Sequence, residues 1–416
     1  MQSPVLPALA CVLAVFGFSA LRSHGAVTPP WATPAAHEVG SLAGGPAERF
    51  FPNGTRATRA RPRRASVFVS TSGSDASRCT RPAPCLTFDR AYRAAKPGEI
   101  VELSAGSYGP QTVRSDARKK SAADVVFRPA AGAAVSVRSD LVVDGSHVTF
   151  ERLTMNGDWR TDQQTRDVTF RNVTVNGGIF VNSSSNIRVI GGSVGGIQDY
   201  KPQIGAWPPS SRATNILIDG VTFHDMTRSG SGVHAECLLV AGIDGLIVRN
   251  SRFRNCAVFD LSIGEMNDSG PPKNILIENN FFGGSDGYYS LEFNTNSTSL
   301  TNVLIRNNAS TQEMSLGNDI PVLKNVRVIA NVAPYHARSC DRRIVYAYNV
   351  WQGGRCGVTD VSAPSRFRNP GALDFHLEKG SRAIGHGSPT SFPKRDIDGQ
   401  KRPQGRRLDA GADERR

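Results

Sequence analysis

The sequence predicts an all-β chain wound into a right-handed parallel β-helix, a solenoid in which every turn adds one strand to each of three sheets. Three observations predict this fold. The 416 residues include 41 glycines and 25 prolines but are only 39% hydrophobic, which is typical of short buried segments between many tight turns. A short phrase of alternating apolar residues recurs along the chain, and a further apolar segment precedes several of its copies.

The recurring phrase is the strongest of these observations. Its copies begin 19 to 30 residues apart, which is the range of one solenoid turn with loops of variable length. A β-sandwich is the rival fold, but it predicts hairpins with two-residue turns instead of a phrase at this period. The copies are HVTFERLTMNG from His147, DVTFRNVTVNG from Asp167, NIRVIGGSVGG from Asn186, NILIDGVTFHD from Asn215, GLIVRNSRFRN from Gly245, NILIENNFFGG from Asn274, NVLIRNNASTQ from Asn302 and NVRVIANVAPY from Asn325.

Each copy is predicted to form a strand, a turn and a second strand. In the copy from Asn215, the apolar residues Ile216, Ile218 and Val221 alternate around Asp219 and Gly220. An asparagine or glycine between the two runs tolerates the left-handed backbone conformation, so the chain bends there without a steric penalty. The apolar segments that precede several copies supply a third strand per turn: ECLLV from Glu236, FDLSI from Phe259 and YSLEF from Tyr289.

The two ends of the chain are predicted to differ from the repeats. Residues 1–25 are interpreted as a signal peptide, because the apolar stretch from Pro4 to Ala20 is short and interrupted by proline; a retained N-terminal anchor is the alternative. Residues 26–65 form a linker rich in proline and arginine, residues 66–360 the solenoid and residues 361–416 a loop-rich C-terminal segment. A short helix from Leu86 to Ala95 is expected to cap the first turn, since an open end exposes the core.

Cysteine usage and charge restrict the compartment and the partners. Six of the seven cysteines follow the signal peptide, which suits a secreted or cell-surface protein with disulfides. Cys79–Cys85 and Cys340–Cys356 are the predicted pairs, whereas Cys237 and Cys256 are either a third disulfide or two buried thiols. The net charge of +13 is concentrated, with six arginines and no acid in residues 49–64, and no nucleic-acid-binding motif accompanies it.

The sequence also excludes several kinds of partner. It contains no zinc-ligand spacing, phosphate-binding loop, dinucleotide fingerprint or nucleophile elbow, so no organic cofactor is expected. No membrane span is expected in the mature chain, and we expect a monomer that binds a polysaccharide and no nucleic acid.

A family resemblance adds to this interpretation. The opening VSTSGSDASRC…PC and the closing DIDGQKRPQG…DAGADE, together with the asparagine-rich turns, resemble the secreted bacterial right-handed parallel β-helix repeat proteins of the pectin-lyase-like superfamily. The resemblance covers residues 66–414. It implies the fold and an extracellular carbohydrate context, but the superfamily contains lyases, hydrolases, epimerases and non-catalytic surface proteins, so it implies no single reaction.

Acidic residues on the third strands form the candidate site. Alternation places Cys237, Leu239, Leu261, Ile263, Leu291 and Phe293 in the core, and their neighbours on the outer face. Carboxylates stacked at strand spacing repel one another unless they bind a cation, share a proton or meet basic groups. The outward neighbours are Glu236, Leu238, Asp260, Ser262, Ser290 and Glu292, with His234 two residues before Glu236 on the same face.

Two catalytic interpretations and one non-catalytic interpretation follow. In a lyase acting on an acidic polysaccharide, His234 or Lys201 is the base that removes the proton next to the uronate carboxylate. In a glycoside hydrolase, two carboxylates act as acid and base or nucleophile. In a glycan-binding or adhesion module, the acids are solvated and paired with arginines. The lyase is the sharpest hypothesis, and calcium, if bound, would take oxygen ligands from Glu236, Asp260, Glu265 and Glu292.

Basic and aromatic residues complete the predicted site. Arg228 and Arg252 are predicted substrate ligands by turn count, and Trp207 in the insertion DYKPQIGAWPPSSR is predicted to line a cleft beside the acids. An aromatic platform for the apolar face of a sugar ring is a further hypothesis, in which Tyr289 is expected to face the core instead. Its candidate residues are Trp159, Trp207, Tyr200, Tyr288, Tyr289 and Tyr335.

Overall fold

The chain folds as the predicted right-handed parallel β-helix with three sheets. The computed structural model describes residues 64–162, 165–205, 208, 211–266, 268–283, 289–294, 296–317, 319–334 and 340–415. The predicted signal peptide and nearly all of the predicted linker lie outside the described residues, as does Trp207. Among the described helices, none has the length and hydrophobicity to span a membrane.

The first sheet carries the first strand of each turn, and all of its strands run parallel. The phrase copies form the stretch from β8 to β27, so the eight predicted first strands are confirmed, and the structure adds turns before and after them. The strands in order are β1 (Val67–Val69), β2 (Ile100–Leu103), β5 (Val125–Pro129), β8 (Val148–Glu151), β11 (Arg166–Asn176), β13 (Ser185–Gln198), β15 (Ala213–Asp219), β18 (Ile243–Arg249), β21 (Lys273–Glu278), β24 (Ser299–Arg306), β27 (Val322–Ile329) and β29 (Ile344–Ala347).

The second sheet is formed by the strands that follow the bend in each phrase copy. The long strands β11 and β13 bend from the first sheet into the second, which joins the two sheets into one hydrogen-bonded ladder. The remaining strands of the second sheet are β3 (Gly106–Tyr108), β6 (Val135–Val137), β9 (Thr154–Met155), β16 (Thr222–Thr227), β19 (Arg252–Cys256), β22 (Phe281–Phe282), β25 (Ala309–Ser310), β28 (Val332–Ala333), β30 (Val350–Trp351) and β31 (Val361–Ser362).

The third sheet has nine parallel strands and carries the candidate site. Three of them, β17, β20 and β23, overlap the apolar segments predicted as third strands, so the prediction of three strands per turn is confirmed. The strands in order are β4 (Gln111–Val113), β7 (Leu141–Val143), β10 (Trp159–Thr161), β12 (Ile179–Val181), β14 (Gln203–Ile204), β17 (Leu239–Ala241), β20 (Leu261–Gly264), β23 (Leu291–Phe293) and β26 (Met314–Ser315).

Equivalent residues of successive turns stack inside the solenoid. Val148 pairs with Val168, and Phe150 with Phe170, so like side chains lie directly above one another in the core. The rings of Phe127, Phe150 and Phe170 stack with centroids 5.2 Å apart at each step. One continuous core therefore runs through the turns, and burial of its apolar side chains is the main stabilising contribution.

Two positions of the phrase are left-handed in every copy. The predicted one lies between the first and second strands, as at Asn250, Asn279 and Asn307 with φ of 53°, 62° and 51°. The other is the first residue of the phrase, where Asn274 and Asn302 have φ of 58° and 56°. Asparagine tolerates this conformation, which explains why it recurs at both places.

A ladder of buried asparagines connects successive turns just after the phrase turn. The side-chain oxygen of Asn308 accepts from the backbone N–H of Asn280 at 3.0 Å, and that of Asn331 accepts from the N–H of Asn308 at 3.0 Å. Asn349 and Asp360 continue the ladder in the same way. Because these backbone N–H groups are buried, water cannot bond to them, and the side chains of the ladder supply their hydrogen-bond partners.

Helix α1 (Phe88–Ala94) caps the N-terminal end of the core, as predicted. Thr87 is its N-cap and accepts a hydrogen bond from the backbone N–H of Arg90. Phe88 and Tyr92 are fully buried, and the Phe88 ring packs on Phe127 with centroids 5.3 Å apart. The helix thus covers apolar side chains that the first turn would otherwise expose.

The C-terminal segment packs against the side of the solenoid instead of continuing it. It contains the antiparallel strands β32 (Phe367–Asn369) and β33 (Asp374–Leu377), joined by a single 3-10 turn (Pro370–Ala372). Its apolar residues form a second buried cluster with the outer face of the first and second sheets. Arg402 anchors the segment: it is buried, pairs with Glu414 at 2.9 Å and donates to Asn279 at 3.0 Å.

Three disulfides are present. The predicted pairs Cys79–Cys85 and Cys340–Cys356 are confirmed. The question left open for Cys237 and Cys256 is settled, since these two cysteines also form a disulfide. It connects the residue before Leu238 to the end of β19.

Candidate functional site

The register of the third sheet fixes which side chains share its outer face. Gln203, Leu239, Ser262, Glu292 and Ser315 occupy paired positions on five successive strands. This column therefore places Glu292 beside Ser262 on the outside of the solenoid.

The predicted alternation is wrong in the turn that contains Glu236. Leu238 and Val240 belong to the core, whereas Leu239 lies in the outward column. The physical reason is that Cys237 and Leu238 are consecutive residues and both are buried in the core. Strict alternation is therefore interrupted between these two residues. The alternation within β17 does not show which way the Glu236 side chain points.

A buried carboxylate organises two basic side chains just before β17. Glu236 is 2% exposed, and its Oε1 lies 2.8 Å from Nδ1 of His234. Lys201 Nζ forms an ion pair with Glu236 Oε2 at 3.3 Å and donates to the backbone carbonyl of His234 at 3.0 Å. About half of the His234 side chain, 52%, faces solvent. The arrangement fixes the imidazole through one nitrogen and leaves the rest of the ring accessible.

The electrostatics of this pair favour the charged forms. The hydrogen bond to Glu236 raises the pKa of His234 above its ordinary value, with burial opposing this and the negative charge of Glu236 adding to it. Burial is the largest influence on Glu236 and acts to raise its pKa. The hydrogen bond from His234 and the charge of Lys201 together outweigh burial, so the pKa of Glu236 is lowered.

The pKa of Glu292 is shifted in the opposite direction to that of Glu236. Burial raises the pKa of Glu292, a hydrogen bond from Ser262 at 2.7 Å opposes this, and the negative charge of Glu236 raises it further. Two carboxylates that influence each other thus have pKa values displaced in opposite directions. Such pairs are typical of acid–base sites, although structural ion pairs also produce them.

The structure therefore brings three of the predicted residues, Lys201, His234 and Glu236, into direct contact, and the charges of Glu236 and His234 influence the pKa of Glu292; we call these four residues the third-sheet cluster. Asp260 is fully buried and stands two residues before Ser262, so it lies beside the Glu292 column and not in it. The other predicted site residues either make their contacts elsewhere or lie outside the described residues.

Three predicted ligands are engaged in other contacts. Glu265 accepts hydrogen bonds from the backbone N–H and the hydroxyl of Thr298, at 2.9 and 2.7 Å, and so holds the loop of the next turn. Arg228 donates to the backbone carbonyl of Ser231 at 3.2 Å. Arg252 lies on the second sheet and pairs with Asp398 of the C-terminal segment at 3.1 Å, which draws it away from the cluster.

The acids of the predicted calcium site do not converge. In the described part of the chain, the group with three possible ligand atoms within 4.8 Å of one another is His376, Asp398 and Asp413 on the C-terminal segment. Nε2 of His376 lies 2.6 Å from Asp398, and Arg252 contacts the same carboxylate, so charged partners already occupy it. Calcium at the third-sheet cluster stays a prediction.

The aromatic candidates separate into core and surface. Trp159 is fully buried and stacks on Phe170 with centroids 3.9 Å apart, so it is a core residue. Tyr200 is 39% exposed and stacks on Phe180. Tyr289, predicted to face the core, is half-buried and stacks on Phe259 with an interplanar angle of 9°. Tyr288 and Tyr335 lie outside the described residues.

Sequence reasoning missed Phe180 as a surface aromatic. It stands between Ile179 and Val181 in an unbroken apolar run, so composition alone suggested a buried strand. The signal that could have found it is alternation, since Ile179 and Val181 are both fully buried and the residue between them must point outward.

Comparison with known proteins found structural likeness without close sequence similarity. No family model and no curated protein matches the chain. Among solved structures, pectate lyase Pel9A is 13% identical, with 85% of this chain and 97% of that chain covered and a TM-score of 0.44. A rhamnogalacturonan lyase is 11% identical over 73% and 91%, with a TM-score of 0.38. The GH136 lacto-N-biosidase from Eubacterium ramulus is 12% identical over 69% and 63%, with a TM-score of 0.37.

Proposed function

We propose that the protein is an extracellular polysaccharide lyase that cleaves a uronate-containing glycan at the third-sheet cluster. The single observation that carries the proposal is the contact between buried Glu236 and the half-exposed ring of His234, with Lys201 held beside both. A buried carboxylate that orients an accessible imidazole is a recurrent device for moving protons. The three disulfides support an oxidising, extracellular location.

The reaction requires a base, an acid and a group that neutralises the substrate carboxylate. The base removes the proton on the carbon next to the carboxylate, and the electron pair left behind forms a carbon–carbon double bond. The bond to the oxygen of the neighbouring sugar breaks, and that oxygen takes a proton from the acid. No oxidant, reductant or water is consumed.

Lys201 suits the neutralising role. An ammonium group has three donors, and Lys201 directs its contacts to the His234 carbonyl and the Glu236 carboxylate. A remaining N–H is available to a substrate carboxylate. Stabilising the negative charge that develops on that carboxylate lowers the cost of removing the adjacent proton.

We propose Glu292 and His234 for the other two roles, because both are titratable groups of the cluster whose pKa values are displaced from the ordinary ones. The ordinary values are 4.5 for Glu292 and 6.5 for His234, and both are raised. In this proposal Glu292, in its ionised form, is the base, and His234, in its protonated form, is the acid, so activity requires a pH at which both forms are present. Glu236 touches neither reacting atom in this scheme; it is a positioning residue that orients His234 and favours its protonated form.

The proposal is tested with pectate, alginate and glycosaminoglycans, each with and without calcium. Absorbance from unsaturated uronates should appear with at least one of them and follow a bell-shaped pH profile, with limbs above the ordinary values of 4.5 and 6.5. His234→Ala and Glu292→Gln should each reduce kcat by about 10²- to 10⁴-fold. Glu151→Gln is the matched control, because Glu151 is a carboxylate on the first sheet that pairs with Arg171.

Other results of this assay would support one of the two alternative functions. New reducing ends without unsaturation would indicate a glycoside hydrolase that uses Glu236 and Glu292. Retention of a glycan without any cleavage would indicate a binding module. Equal activity of His234→Ala and the wild type, with unchanged unfolding temperature, would contradict the site assignment.

A further inference from the structure

A pair of aromatic rings, the exposed Tyr200 and the half-buried Phe180, lies on the outer face of the third sheet, on the N-terminal side of the cluster. Phe180 of β12 pairs with Arg160 of β10 in the preceding turn and with Gln203 of β14 in the next. Tyr200 precedes β14 and stacks on Phe180, with centroids 6.4 Å apart and an interplanar angle of 14°. Tyr200 is directly followed by Lys201, so the rings adjoin the proposed site.

The two rings are held in position. The Tyr200 hydroxyl donates to Asp158 Oδ1 at 3.0 Å, and the backbone N–H of Gly178 donates to the same oxygen at 2.7 Å. Burial, followed by the charge of Asp158, raises the pKa of Tyr200 to about 12, so its hydroxyl stays a donor. A Cβ at Gly178 would lie 2.9 Å from the Phe180 ring and 3.1 Å from the Tyr200 ring. The space that glycine leaves is therefore needed by both rings.

The charges around the rings are mainly negative. Arg160 lies over the Phe180 ring, 6.0 Å from its centroid, and pairs with Asp140 at 3.2 Å. Asp158, which accepts from the Tyr200 hydroxyl, adds a second carboxylate. Two carboxylates and one guanidinium thus lie at the rings. Such a surface repels a sugar carboxylate, whereas carboxylates and guanidinium groups readily bond to sugar hydroxyls.

We propose that the Phe180–Tyr200 platform binds a neutral sugar residue, with the apolar face of the ring on the aromatics and its hydroxyls on Asp158 and the Asp140–Arg160 pair. This rests on the proposed function for the other end of the glycan, where Lys201 receives a uronate. The substrate class that fits both is a heteroglycan in which neutral and acidic sugars occur in one chain, instead of a polymer of uronate alone.

Binding is measured on full-length His234→Ala protein, so that cleavage does not consume the probe. The probes are hyaluronan and rhamnogalacturonan oligosaccharides, which alternate acidic and neutral sugars, and oligogalacturonates, which are acidic throughout. At least one alternating glycan should bind more tightly than oligogalacturonate. Adding Phe180→Ala or Tyr200→Ala should weaken its binding roughly three- to tenfold. Val358→Ala, which removes an exposed apolar side chain elsewhere, should leave binding unchanged.

A charge variant tests separately whether the platform discriminates against acidic sugars. Asp140→Asn leaves Arg160 without its carboxylate partner, so oligogalacturonate should bind about two- to fivefold more tightly than before. The unfolding temperature of each variant serves as the check on folding.

The outcomes separate this proposal from the lyase. If the wild type cleaves no glycan, but alternating glycans bind and the two ring variants weaken that binding, the lyase fails and the platform stands. Binding that is insensitive to both ring variants overturns the platform even when cleavage occurs. Preference for oligogalacturonate, or the absence of binding to every probe, also overturns it.

Discussion

Replacing Asn308 with alanine tests how much the buried asparagine ladder stabilises the solenoid. The side-chain oxygen of Asn308 accepts from the backbone N–H and the side-chain Nδ2 of Asn280, both at 3.0 Å. Its Nδ2 donates to the carbonyl of Ile277 at 3.0 Å and to the Asn331 side chain at 2.9 Å. The residue is fully buried, so water does not replace these bonds when the side chain is removed.

The expected cost follows from the groups left without a partner. Alanine removes the acceptor of the Asn280 backbone N–H and one donor to the Ile277 carbonyl. A buried group deprived of its partner costs about 1–3 kcal/mol, whereas the Asn280 side chain keeps its bond to the Val248 carbonyl. We therefore expect Asn308→Ala to lower the free energy of unfolding by about 2–4 kcal/mol.

Urea unfolding followed by circular dichroism measures this difference, with Asn176→Ala as the matched control. Asn176 also donates to an asparagine of the preceding turn, Asn156, at 2.8 Å, but it is exposed and water can replace that bond. The control should change the free energy of unfolding by about 0.5 kcal/mol or less. If the two variants differ by less than about 1 kcal/mol, the ladder is not the inter-turn stabiliser that its geometry suggests.

Three further predictions concern the site and the segments that support it. Glu236→Gln should lower the pKa of His234, because the negative charge that strengthens their hydrogen bond and favours the imidazolium is lost; NMR titration of the ring measures this, and an unchanged pKa contradicts the arrangement. Since the folded-state pKa is raised, protonated His234 stabilises the wild type at pH values below about 6.5, and this contribution disappears as pH rises through the folded value. Arg402→Met should destabilise the C-terminal segment by about 3–5 kcal/mol and expose it to limited proteolysis, because a buried carboxylate loses its partner. Cys256→Ser should cost about 3 kcal/mol in urea unfolding, since its bond to Cys237 closes a loop of 19 residues; a cost near zero would show that the bond adds nothing.

The strands of the repeated turns were predictable because their signal is local. Alternating apolar residues, with an asparagine or glycine where the backbone turns left-handed, define a strand–turn–strand unit without any distant information. The earliest turns do not carry the repeated phrase. Val67–Val69 and Ile100–Leu103 pair in register with the turns that follow, but they lack the asparagine-bearing phrase that identifies the later ones.

The composition of the candidate site was partly predictable, whereas its contacts were not. Spacing along the third strands pointed to His234, Glu236 and Glu292, and the structure brings these together with Lys201. Arg252 was assigned to the site by turn count. Its partner Asp398 follows 146 residues later in the chain, and no local pattern shows that the C-terminal segment returns to that face.

By itself, the sequence determined a three-sheet parallel β-helix with a helical cap, because periodicity and turn residues act over a few positions. Only the tertiary structure decided which side chains meet. Leu239 faces outward and Glu236 is buried because the Cys237–Cys256 disulfide and the register between turns fix each side chain against its neighbours. The aromatic platform of Phe180 and Tyr200 likewise depends on the pairing of adjacent turns, since residues 20 positions apart stack only when the register places them together.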